Sequence, residues 1–174
     1  IYDWDLDQFM YSGSRLLEGE LAWTKEFDDK SPLQQFIFAF PAFFKDLDFW
    51  IIINIILSII GSYCLFYITK KILKNIFKYE KNNVLNISIL SSCIYLLLLT
   101  INKGSIVQIN AFCTNLILIS KYFLLEFQSN ENNIDFKKKT IFFIFASFLA
   151  SVCISIRPYF LPTALSVGLW ISLR

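Results

Sequence analysis

The chain contains no histidine and only five glycines and four prolines among its 174 residues. The absence of histidine excludes Ser-His-Asp and Cys-His catalytic arrangements and zinc sites that use histidine. The scarcity of Gly and Pro favours long helices over turn-rich sheets. Charged residues are also few, at 17% of the chain. A soluble domain carries about a quarter charged residues, so this deficit indicates lipid as the solvent.

Most of the chain consists of apolar residues. They make up 56% of the chain, 19 of them Phe, and the mean hydropathy is +0.54. The four cysteines all lie in apolar runs, which is typical of buried free thiols rather than of a disulfide framework. The fold class predicted is all-α: a polytopic transmembrane helix bundle with an acidic outer loop that carries short interfacial helices.

The charges are strongly segregated along the chain. Ten of the 14 acidic residues precede Phe49, and only four basic residues share that region. The sequence therefore predicts two domains: an acidic extracytoplasmic loop at 1–48 with two short helices, and a membrane domain at 49–174. Within the loop, the apolar run 36–44 is too short to cross a bilayer at about 1.5 Å per residue, so we expect it to lie in the interface.

The membrane domain divides into about five segments long enough to cross, since roughly 20 apolar residues suffice. They are 49–69, 84–102, 105–125, 140–156 and 159–173. Lysine-rich loops follow the first segment and precede the fourth, which places these loops in the cytoplasm by the positive-inside rule. The acidic loop, the turn at 102–105 and the turn at Arg157 then share the outer face.

Local signals predict two helix starts and one stop in the front loop. Asp7 can cap a first helix that ends before Gly19. Ser31 can cap a second helix, with Pro32 at its first position and Gln34 completing a capping box.

Two groups of charges in the front loop could carry chemistry. Asp3, Asp5 and Asp7 alternate along the chain, so in an extended backbone their carboxylates could converge on a divalent cation. One of them could instead act as a general base. The structural alternative is a solvated acidic surface with Asp7 as a helix cap. Asp29 and Lys30 precede a helix start, which favours a bound phosphate or, alternatively, reflects ordinary surface charge.

Two further polar features lie in the membrane domain. Arg157 could bind a phosphate group at the outer end of a span, or could anchor that end at the lipid headgroups. The polar set within 105–125 could line a cavity or form hydrogen bonds between helices; it comprises Gln108, Asn110 and Asn115.

The order of these features resembles the front of a GT-C-type integral membrane glycosyltransferase. The likeness is to the protein mannosyltransferase and lipid A aminoarabinose transferase group. It is carried by Asp7 with Tyr11 four residues later, by Leu-Leu-Glu-Gly at 16–19 and by Asp-Lys-Ser-Pro-Leu at 29–33. Two positions depart from the family pattern. The family's Asp-Glu pair is Asp7-Gln8 here, so either Asp5 supplies the second carboxylate or the pair is absent. Ser31 stands for the first Pro of a Lys-Pro-Pro segment.

The resemblance implies transfer of a sugar from a polyprenyl-phosphate carrier to a glycan, lipid or protein acceptor. The site would face outward from a multi-pass protein of the bacterial inner membrane. Asp7 would be the catalytic base, with Asp5 as its helper. Asp5 and Asp7 could also hold a divalent cation as cofactor. The expected substrate-binding residues are Tyr11, Asp29, Lys30 and Arg157. Nucleic acid is not an expected partner.

Two other functions fit a membrane protein with this charge pattern. A transporter or flippase of lipid-linked saccharides would have charges or helix breaks in the middle of its spans. Segments 49–69 and 140–156 carry no charge, which disfavours this function. A non-catalytic membrane subunit would use the acidic loop to bind a partner. Because the chain starts at Ile1 and stops at Arg174 in an apolar run, we expect a fragment of a longer protein that is inactive alone.

Overall fold

The computed structural model describes residues 4–20, 31–45, 47–75, 79–101, 108–128, 136–163 and 165, apart from the side chains of 4–6, 101, 128 and 136. The described residues form six α-helices and a 3-10 turn, and they contain no strand. The elements are α1 (Trp4–Leu17), α2 (Pro32–Phe44), α3 (Leu47–Asn75), α4 (Lys81–Ile101), α5 (Ile109–Gln128), α6 (Phe136–Ile156) and the 3-10 turn (Pro158–Phe160). The all-α prediction is confirmed for this part of the chain.

The predicted stop of α1 at Gly19 is confirmed. Gly19 has φ of 84°, a left-handed conformation that glycine adopts without the penalty of a side chain. The Gly19 N–H donates to the Leu16 carbonyl at 3.0 Å, and the Glu20 N–H donates to the Arg15 carbonyl at 2.9 Å. This pair of bonds is the Schellman arrangement, which satisfies carbonyls that the helix end leaves unpaired.

The predicted start of α2 is correct in position, the predicted start of α1 is not, and neither helix has the predicted side-chain cap. α1 already begins at Trp4, so Asp7 lies inside the helix and is not its N-cap. α2 begins at Pro32 as predicted, with Ser31 as N-cap residue, but the Ser31 side chain makes no capping hydrogen bond. The Gln34 side chain is buried instead of reaching back to the helix start, so the capping box does not form.

In the described part of the chain, three helices are long and apolar enough to cross a membrane: Leu47–Asn75, Lys81–Thr100 and Lys137–Ile156. They cover the predicted segments 49–69 and 140–156, and they cover 84–102 as far as the described residues reach, to Ile101. α5 covers most of 105–125 but carries Lys121 and Glu126 and is not among the three; its crossing stays a prediction. Segment 159–173 lies largely outside the described residues. α2, with 13 residues, is too short to span.

The four long helices α3 to α6 alternate in direction along the chain. α5 packs against both α3 and α6, and α4 packs against α3. The Trp50 ring lies 5.2 Å from the Phe112 ring near the starts of α3 and α5, and Tyr67 lies 5.0 Å from Tyr122 near their ends. α3 and α5 are therefore parallel. α6 runs antiparallel to α5, because the Ser120 hydroxyl donates to the carbonyl of Ala146 at 2.8 Å and Cys153 Sγ donates to the carbonyl of Cys113 at 3.4 Å.

The buried side chain of Asn115 forms hydrogen bonds that connect α3, α4 and α5 near the middle of the bundle. The Tyr95 hydroxyl of α4 donates to Asn115 Oδ1 at 2.6 Å, and Asn115 Nδ2 donates to Ser58 Oγ of α3 at 3.1 Å. A Cβ added to Gly61 would collide with the Asn115 amide, so Gly61 makes room for it. The prediction that Asn115 forms hydrogen bonds between helices is thereby confirmed.

Candidate functional site

The two helices of the acidic loop form a closely packed hairpin. A Cβ added at Gly13 of α1 would lie 2.5 Å from the backbone carbonyl of Phe38 in α2, so only glycine permits this approach. Phe9 stacks on Phe38 with ring centroids 5.1 Å apart. The hairpin thus fixes α1 on α2 by backbone proximity and by an aromatic contact.

The hairpin is docked on the membrane helices through a column of aromatic rings. Phe38 lies 4.6 Å from Trp50 at the start of α3, and Trp50 lies 5.2 Å from Phe112 at the start of α5. Phe38 is fully buried, and Trp50 is 2% exposed. Such ring pairs contribute about 0.5–1.5 kcal/mol each beyond the area they bury. The column therefore positions α1 at the end of the bundle where α3 and α5 begin.

One face of α1 remains open and carries the predicted catalytic residue. Asp7 is exposed, and Tyr11, one turn later on the same face, is 50% exposed. Another turn on, the Arg15 guanidinium lies 5.9 Å from the centre of the Tyr11 ring. Arg15 also pairs with Glu18 at 3.6 Å and closely with Glu20. Sequence reasoning missed Arg15, although its four-residue spacing from Tyr11 could have indicated it.

The extended backbone on which the Asp5–Asp7 cation site depended is absent. Residues 4–17 are helical, and positions two apart on a helix do not face each other. Nothing is described of the Asp5 side chain. Among the described residues, no group of three His, Cys, Asp or Glu side chains could hold a metal ion. The roles predicted for Asp5 and Asp7 stay predictions.

Arg157 lies at the same end of the bundle as the hairpin. It follows α6, and the turn after it is held by the Tyr159 hydroxyl, which donates to Asn110 Oδ1 in a short bond. Phe160 packs against the core cluster that contains Phe9 and Phe38. Arg157 is half-buried, and its Nε has no hydrogen-bond partner among the residues that the structure describes. No ion pair joins it to Asp7 in the described part of the chain. Asp29 and Lys30 lie outside the described residues.

A pair of buried amides was not anticipated at this site. Gln34 and Gln35, in the first turn of α2, are each 1% exposed. Within the described residues, neither the nitrogen nor the oxygen of either amide has a hydrogen-bond partner. A buried polar group without a partner lowers stability by about 1–3 kcal/mol. This cost makes the two amides candidates for binding a ligand at this site. The signal in the sequence was a polar pair at the start of an otherwise apolar helix, two residues after Pro32.

The lysines lie at the opposite end of the bundle. Lys71 Nζ donates to the Leu125 carbonyl and to Glu126 Oε1, both at 3.1 Å. Between Trp50 and Lys71, α3 rises about 30 Å at roughly 1.5 Å per residue, which matches the thickness of a bilayer core. The Asp7 face and the lysines are therefore separated by about one membrane thickness.

Comparison with protein-family models, with curated proteins and with solved structures finds no match to this chain. Any functional assignment therefore depends on the geometry of the site and on the resemblance of residues 7–33.

Proposed function

We propose that this chain belongs to a GT-C-type membrane glycosyltransferase, which moves a sugar from a polyprenyl-phosphate carrier to an acceptor hydroxyl. The observation that carries the proposal is the aromatic column Phe9–Phe38–Trp50, with ring centroids 5.1 and 4.6 Å apart. It holds the exposed Asp7 face against the end of the apolar helices. A lipid-linked donor presents its phosphate and sugar at that level, where a carboxylate outside the bilayer can meet them.

The chemistry assigns different tasks to the residues at this end. Asp7 accepts the proton of the acceptor hydroxyl, and Tyr11 on the same face orients the sugar; a positioned base contributes about 10²–10⁴-fold. The phosphate that leaves with the lipid gains negative charge, and a nearby cation stabilises it. Lys30 is assigned this role by resemblance, and Arg157 is the second candidate; Asp29 is assigned only to substrate binding. Asp5, or a cation held with it, is not required by this scheme.

The proposal also fixes the orientation in the membrane. With α3, α4, α5 and α6 crossing as a polytopic bundle, the lysine end faces the cytoplasm. The hairpin of α1 and α2 then lies on the outer face, as an acidic loop domain of a bacterial inner-membrane protein. Four Phe side chains of α2 more than half exposed would lie in the lipid interface; they are Phe36, Phe40, Phe43 and Phe44.

The test is sugar transfer by the complete protein in membranes, with a panel of polyprenyl-phosphate sugars as donors. We expect Asp7→Asn to lower the transfer rate at least about 100-fold, the lower bound for a catalytic base, while membrane insertion is retained. Glu18→Gln, the corresponding acid-to-amide change directly after α1 ends, is the matched control and should keep the rate. Full activity in Asp7→Asn would remove Asp7 from the mechanism. Failure of the wild-type protein with every donor would favour a non-catalytic subunit.

A further inference from the structure

A cavity of about 530 Å³ opens at the lysine end, between the end of α3 and the start of α4. Its volume lies within the roughly 300–1,000 Å³ typical of small-molecule sites. The cavity is lined by Lys70 and Lys74 of α3, by Tyr79, and by Lys81, Val84 and Leu85 of α4. It lies about one bilayer thickness from the Asp7 face and has no part in the proposed transfer reaction.

The cavity concentrates positive charge that the described residues do not neutralise. In the described ranges, Lys70, Lys74 and Lys81 form no ion pair with a carboxylate. The neighbouring Lys71 differs, because Glu126 neutralises it at 3.1 Å. The first turn of α4 contains no acidic residue, and the N-terminus of a helix this long favours an anion. The site is therefore electrostatically suited to a phosphate group.

The other wall of the cavity is apolar and continues into the membrane face of α4. Val84 is 4% exposed, and Leu85 is 43% exposed at the cavity mouth. Beyond Leu85, the exposed side chains of α4 include Ile89, Leu90 and Leu97. An occupant that satisfies both walls has an anionic head for the lysines and a hydrocarbon tail that runs along α4.

We propose that this cavity binds the headgroup of an anionic phospholipid from the leaflet on the lysine side. Basic pockets between membrane helices bind anionic headgroups in this way. A free phosphate compound would use the same lysines but would gain nothing from the apolar path along α4. The lipid would brace the end of α3 against the start of α4.

The test measures lipid binding to the purified protein in detergent by native mass spectrometry, with phosphatidylglycerol and phosphatidylcholine as probes. The wild-type protein should retain phosphatidylglycerol in preference to phosphatidylcholine. Each lysine near a membrane surface strengthens anionic-lipid binding about fivefold, so Lys70→Gln with Lys74→Gln should weaken retention at least about tenfold. Lys138→Gln with Lys139→Gln removes the same charge at the same end and should leave retention unchanged.

Three results would overturn the proposal. Equal retention of the two lipids would show that charge is not recognised. Equal loss in both double variants would assign binding to the general basic surface and not to the cavity. Displacement of phosphatidylglycerol by millimolar glycerol 3-phosphate would assign the cavity to a soluble phosphate compound. All these readouts are independent of glycosyl transfer.

Discussion

The buried amides of Gln34 and Gln35 offer a residue-scale test of the site. A polar group buried without a partner lowers stability by about 1–3 kcal/mol, so Gln34→Met or Gln35→Met, which keep the side-chain shape, should keep or raise the midpoint of thermal unfolding. If the amides bind the hydroxyls of a sugar, the same variants should raise KM in the transfer assay. Stability and substrate binding should therefore move in opposite directions.

Gln8→Met is the matched control, because Gln8 is exposed on α1 and should change neither quantity. A lower unfolding midpoint with unchanged KM would mean that the amides serve structure alone.

At this scale the sequence predicted backbone signals better than side-chain directions. Gly19 was identified as the stop of α1 because a left-handed residue is needed there whatever surrounds it. Gly13 gave no such signal, since its role depends on Phe38, which is distant in sequence. Gln34 had the right spacing for a capping box, but burial in the hairpin directs its side chain elsewhere.

At the scale of helices, charge-free runs identified α3, α4 and α6 but underestimated their lengths. α3 continues from the predicted limit of 69 to Asn75, because lysines in a last turn interact favourably with the carbonyl end of the helix dipole. Polar ends therefore extend a helix beyond its apolar run. The docking of α2 on Trp50 could not be predicted, because periodicity within one segment carries no information about its neighbour.

Asn115 tests how the helices are held together. Asn115→Ala removes its hydrogen bonds to Tyr95 and Ser58, and such interhelical bonds contribute about 0.6–2 kcal/mol each. We expect a lower midpoint of thermal unfolding in detergent. Asn83→Ala, the same change at an exposed position of α4, should leave the midpoint unchanged. Equal midpoints for both variants would show that the hydrogen bonds of Asn115 do not stabilise the bundle.

For the whole molecule, the separation of charge along the sequence becomes a separation in space. The acidic front loop and the lysine loops were predicted on opposite faces from their alternation with apolar runs. Among the described residues, Asp7 lies near the start of α3 and Lys71 near its end, while the placement on opposite membrane faces stays a prediction. Which elements meet at the outer end, among them α1, α2 and the turn after Arg157, depends on packing between distant segments and was accessible only from the structure.

The orientation can be tested by labelling two introduced cysteines in intact cells with a membrane-impermeant maleimide. Two exposed positions are suitable: Glu18, whose side chain is 64% exposed, and Asn83 at the start of α4. Ser12, on the same helix as Asp7, is unsuitable because it is only 5% exposed and would fail to react for lack of access. Cys93, the exposed native cysteine, is first replaced by Ser. Glu18→Cys should react from outside, and Asn83→Cys only after permeabilisation, because α3 separates the two by a bilayer thickness. Reaction of both before permeabilisation would place the Asp7 face and the lysine cavity in one compartment, which no crossing of α3 allows.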